Sequence, residues 1–77
     1  MLTATQQHTV DQFAKSISVL GDDALIDTYH QAWEDYIEAS AEGSDNISKA
    51  HAKGLATEKA MQDRFPDYQT RYQLRYP

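Results

Sequence analysis

The chain has no cysteine, and only two prolines and three glycines among its 77 residues. Without cysteine there is neither a disulfide framework nor a thiolate for zinc. The glycines stand alone at 21, 43 and 54, so no glycine-rich loop exists to cradle a phosphate. The prolines sit at 66 and 77, which leaves the preceding stretch free of helix-breaking rings. Long apolar runs are also missing. The longest, Ala24-Leu25-Ile26, has three residues, against the roughly 20 that a membrane-crossing helix needs. Residues 1–7 lack the basic start and apolar stretch of a secretion signal. The expected location is the cytoplasm, with no membrane partner.

Positive charge is absent from the middle of the chain. No Lys or Arg lies between Lys15 and Lys49, a gap that holds Asp22, Asp23, Asp27, Glu34, Asp35, Glu38, Glu42 and Asp45. All three arginines, Arg64, Arg71 and Arg75, fall near the C-terminus. The net charge of −5 favours solubility and opposes general affinity for nucleic acid. A chain this short forms one small domain with a thin core, for which self-association is a common support. A homodimer is therefore one expectation.

Apolar spacing predicts an all-α fold: a three-helix unit, made of a helical hairpin plus an N-terminal helix, over residues 1–65, followed by an aromatic tail over 66–77. Val10, Phe13, Ala14, Ile17 and Leu20 form one helical stripe. Thr3 to Gln6 and Thr9 to Gln12 both fit a capping box at its start, and Gly21 should stop the helix. Leu25, Ile26, Tyr29, Ala32, Trp33, Tyr36 and Ile37 form a second, wider and more aromatic stripe. Asp22 or Asp23 is suited to cap that helix and Gly43 to end it. Ser44-Asp45-Asn46 reads as the turn and cap before a third helix, which carries Ile47, His51, Gly54, Leu55, Glu58, Met61 and Phe65 on one side. Pro66 disfavours helical backbone at Phe65 and should end the helix there. Gly54 on a packed face leaves room for close approach by a neighbouring aromatic such as Trp33. The predicted core is Phe13, Ile17, Leu20, Leu25, Ile26, Tyr29, Trp33, Tyr36, Ile37, Ile47, Leu55, Met61 and Phe65.

The tail supports two periods. Alternation places Tyr68, Thr70, Tyr72, Leu74 and Tyr76 on one side, as in a strand, whereas helical spacing groups Tyr68, Arg71, Tyr72, Arg75 and Tyr76. The flanking prolines tilt the reading toward an extended tail.

Little here points to catalysis. Ser16, Ser18, Ser40, Ser44 and Ser48 have no motif around them, and carboxylates on an exposed helix have no pocket to shift their acidity. No enzyme activity and no cofactor is expected. Asp27, His30 and Glu34 have helical metal-ligand spacing, with His51 and Glu58 on the next helix, but a solvated acidic face and a polar pair at the core rim explain them more simply.

Two surfaces remain as candidates for recognition. Arg64, Tyr68, Arg71, Tyr72, Arg75 and Tyr76 combine the side-chain types that dominate interface hot spots. Asp27, Glu34, Glu38 and Glu42 form an acidic row on the second helix. These residues suggest a binding module that acts by stoichiometric contact with another protein, of the kind phage and mobile elements use to inhibit host or defence proteins. Alternatives are a nucleic-acid-binding accessory protein or acidic mimic, and a small carboxylate/histidine metal protein. The tail folding back on the acidic helix of its own chain or of a dimer mate is the simplest structural alternative.

Overall fold

The computed structural model describes residues 2–43 and 45–77, and in it the described residues form four helices and no strand. They are α1 (Ala4–Ile17), α2 (Asp22–Glu42), α3 (Ile47–Arg64) and α4 (Tyr68–Arg75). Helices α2 and α3 make an antiparallel hairpin, α1 lies along α3, and the short α4 crosses α2 and α3. The molecule is a slab measuring 33 × 26 × 16 Å. No helix of the described residues is long and apolar enough to cross a membrane.

Local chemistry explains most helix ends. Thr3 caps α1 through a complete capping box: its Oγ1 accepts from the Gln6 backbone at 3.1 Å, and the Gln6 side chain accepts from the Thr3 backbone at 3.0 Å. Thr9 is inside the same helix and spends its hydroxyl on the Thr5 carbonyl. Helix α1 stops at Ile17, four residues before Gly21, because Ser18 and Val19 turn the chain early. Gly21 instead takes the N-cap position of α2, with Asp22 and Asp23 in the first turn, where negative charge suits the helix dipole. Gly43 closes α2 in a left-handed conformation at φ 66°, which glycine adopts without steric cost. Asn46 occupies the N-cap position of α3; Ser44, the first of the three predicted turn residues, lies outside the described residues. Phe65 is extended at φ −125°, ψ 112°, as the following proline requires.

The core has two characters. Toward the open end of the hairpin, Leu25 and Met61 are completely buried, joined by Ile17, Ile26 and Phe65 and ringed by Phe13, Leu20 and Tyr29. Toward the hairpin turn the buried residues are small: Ala32 and Ala39 on α2, Ala50 and Gly54 on α3. A Cβ on Gly54 would sit 3.1 Å from Trp33 Cε3 and Cζ3, so the glycine admits the indole as its position on the packed side suggested. Buried Thr57 satisfies its hydroxyl by donating to the Gly54 carbonyl at 2.8 Å.

Three sequence expectations need correction. Ile37 and Leu55 were placed in the core, but they are 61% and 47% exposed. The contacts of α2 with Tyr72, Arg75 and Tyr76 fall on Asp23, Asp27, Tyr29 and His30, two turns short of Ile37. Trp33, Tyr36 and Ile47 are only half-buried. The tail is helical where alternation suggested an extended segment: the helical period stacks Tyr68, Tyr72 and Tyr76 onto α2 and α3, and a lone strand would have found no edge to pair with.

Candidate functional site

Helix α4 is eight residues long and buries none of them fully. Such a short helix is not stable alone in water, so its order depends on what it touches. Its tyrosines supply that contact. Tyr76 stacks flat on His30, with centroids 3.9 Å apart and planes 6° from parallel. Tyr72 meets Tyr29 edge-on at 5.2 Å, and its hydroxyl lies 2.7 Å from His30 Nδ1. Tyr68 meets Tyr29 at 6.4 Å, also edge-on. Such ring pairs each contribute about 0.5–1.5 kcal/mol beyond area burial.

A charged clasp completes the dock. Arg75 grips Asp27 with two hydrogen bonds, Nε to Oδ1 and Nη2 to Oδ2, the latter at 2.8 Å, and Tyr76 donates its hydroxyl to the same carboxylate. Hydrogen bonds from Arg75 and then Tyr76 hold the Asp27 carboxyl well below the ordinary carboxylate range. The same carboxylate pushes the Tyr76 phenol and the Arg75 guanidinium above their usual values. Asp23 adds a longer ion pair to Arg75 at 3.7 Å. On the far edge of α4, Arg71 lies over the Phe65 ring at 4.6 Å and pairs with Asp67 at 3.2 Å.

The two surfaces singled out from the sequence therefore meet each other at one point. Asp27 of the acidic row is occupied by the tail, and Tyr68, Tyr72, Arg75 and Tyr76 of the tail are engaged with α2 and α3. Arg64 belongs to neither surface. It reaches back to donate to the Leu20 and Ser18 carbonyls and pairs with Asp22 at 3.7 Å, tying the α1–α2 turn to the end of α3.

The rest of the acidic row remains outside the dock. Glu34 Oε1 lies 3.7 Å from His30 Nε2. Glu38 and Glu42 are exposed and make no ion pair among the described residues. Asp27 and Glu34 flank His30, yet Asp27 spends both carboxylate oxygens on Arg75 and Tyr76, which competes directly with metal ligation. Among the described residues, no group of three or more potential ligands is placed to hold a metal ion. His51 and Glu58 do not pair; the His51 ring lies on Tyr36 at 5.0 Å and near Trp33 at 6.1 Å.

What sequence reasoning missed is the open aromatic surface beyond α4. Trp33 meets Tyr36 edge-on at 5.6 Å, His51 lies against both, and Ile37 and Leu55 project as exposed apolar side chains. Glu34 follows Trp33 on α2 with its side chain 57% exposed. The signal was present in the width of the α2 stripe, which is broader than one neighbouring helix can cover. A shallow cleft of about 460 Å³ lies between α1 and α3, lined in part by Ala14, Ile17, Ala56 and Ala60. Comparisons with protein-family models, curated proteins and solved structures gave no match for this chain.

Proposed function

We propose that the chain is a non-enzymatic binding module that acts by stoichiometric contact with another protein. The observation that carries this reading is the uncovered apolar surface of the hairpin. Ile37 and Leu55 are exposed beside the half-buried rings of Trp33 and Tyr36. Contiguous exposed apolar surface bordered by charge is the ordinary mark of a contact site, and Trp and Tyr are the anchors such sites favour. The Arg/Tyr tail serves this function indirectly, because its rings and guanidinium groups hold the hairpin rather than face a partner. The biological setting that fits is a small phage or mobile-element product that blocks a host or defence protein by occupying its surface.

The test uses Ile37→Asp, a change on an exposed side chain that should leave the fold intact. Wild-type chain immobilised and exposed to a lysate of its native cells should retain one protein at stoichiometric ratio, and the Ile37→Asp chain should lose it. Sedimentation of the two chains checks the remaining occupant, a second copy. Retention of no protein, or of one indifferent to this substitution, together with a monomer in both cases, would contradict the reading.

A further inference from the structure

The outward surface of α2 repeats itself after seven residues. Ile26, Asp27, Tyr29 and His30 are followed by Trp33, Glu34, Tyr36 and Ile37. Seven residues are close to two helical turns, so each member of the second set points almost where its counterpart points. The first set is the seat of α4: Asp27 takes Arg75 and Tyr76, His30 stacks on Tyr76, and Tyr29 receives Tyr72 edge-on. The second set has no helix over it; the His51 ring of α3 lies on Tyr36 at 5.0 Å and near Trp33 at 6.1 Å. Glu34 stands for Asp27 with its side chain 57% exposed. Tyr36 stands for Tyr29, and Ile37 gives an aliphatic edge in place of the His30 ring.

The α3 wall changes over the same interval. Moving back seven residues exchanges Met61 for Gly54 and Gln62 for Leu55. Gly54 seats Trp33. Leu55 replaces the amide that reaches the Tyr68 hydroxyl at 3.5 Å, so this part of the wall is more apolar. Two turns span about 10.5 Å, close to the spacing of packed helices. A second helix would therefore fit beside α4 without displacing it. Helical spacing places Gln69 and Gln73 on the edge of α4 opposite Arg71, so the neighbour meets uncharged amides. Charge selects the occupant. The carboxylate within the second set is Glu34, and α2 carries no Lys or Arg, which favours a cationic helix over an acidic one.

We infer that Trp33–Ile37 of α2, with the Leu55 wall of α3, is a second helix-docking subsite. Its occupant is a short amphipathic helix of a partner protein with aromatic side chains one turn apart and an arginine beside them, the chemistry α4 already displays. This inference rests on the protein-contact reading above and adds the chemical class of the partner.

The probe is a synthetic peptide with the sequence of residues 66–77, titrated to millimolar concentration into isotope-labelled full-length chain. The expected result is one saturable site, with resonance shifts at the Trp33 indole, Tyr36, Ile37 and Leu55, while His30 and Tyr76 stay in place. Glu34→Lys should weaken binding by about fivefold or more, and a peptide with both arginines changed to glutamate should not bind. No saturable site, shifts confined to His30 and Tyr76, or equal affinity for the Glu34→Lys chain would each overturn the subsite. So would a dimer dissolved by Ile37→Asp, which would put a second copy there. A partner lost on Ile37→Asp with no response to the peptide would overturn the cationic-helix assignment and leave protein contact standing. The reverse, a peptide response with no Ile37-dependent partner, would support the subsite and remove the broader reading.

Discussion

The two halves of the hairpin's outer surface occupy corresponding helix positions and end in opposite states. Near the open end, Ile26, Tyr29 and His30 are covered by three tyrosines of α4. Near the turn, Trp33, Tyr36 and Ile37 have no helix over them. The interior differs in parallel. Leu25 and Met61 fill the covered half, whereas alanines and Gly54 lie beneath the open one. Stability is thus concentrated at one end, and the other end spends its aromatic side chains on the surface. Helix–helix contact between small residues keeps that end closed without needing the outer side chains as core.

The largest expected effect lies in the covered half. Leu25→Ala removes a completely buried side chain and should cost about 2–5 kcal/mol, enough to leave a domain of this size close to unfolding; urea denaturation followed by circular dichroism measures it. Trp33→Ala should cost less, about 2–3 kcal/mol, because the indole is half-buried against Gly54. A loss equal to that at Leu25 would erase the distinction between the halves.

The clasp gives a pH-dependent test. Asp27 has its carboxyl held below the ordinary value in the folded chain, so its contribution is fully present above the unfolded value of about 4. That contribution fades as pH falls through the folded value. Tyr76, raised in the folded chain, contributes below its unfolded value of about 10 and loses that contribution as pH rises. Amide exchange in α4 should therefore speed up at both extremes relative to α3, and Asp27→Asn should abolish the acid limb. The smallest effect belongs to the open half: Ile37→Ser should change stability by less than about 0.5 kcal/mol in the same urea experiment.

The sequence carried the helices well and the surface less well. The Thr3–Gln6 box, Gly43 and Pro66 are local signals that act within a few residues, and each lies at the helix end it predicts. Gly54 opposite Trp33 was also readable, since a glycine on an apolar helix side needs a reason. The exposure of Ile37 and Leu55 was not, because periodicity shows which way a residue points and not whether another element reaches it. The tail was ambiguous for a related reason. Tyr68, Tyr72 and Tyr76 satisfy both periods, and only their tertiary contacts with Tyr29 and His30 choose the helix. Ala32, Ala39 and Ala50 were overlooked as core because small side chains add little to an apolar stripe, although they set how closely α2 and α3 approach.

The most direct check is a proton–proton Overhauser spectrum of the unmodified chain near neutral pH. Cross-peaks should join the His30 ring to the Tyr76 ring, and the Ile37 methyl groups should show none to any residue of α4. Missing His30–Tyr76 contacts, or Ile37 methyl groups in contact with α4, would contradict the division of this helix into a filled seat and an empty one.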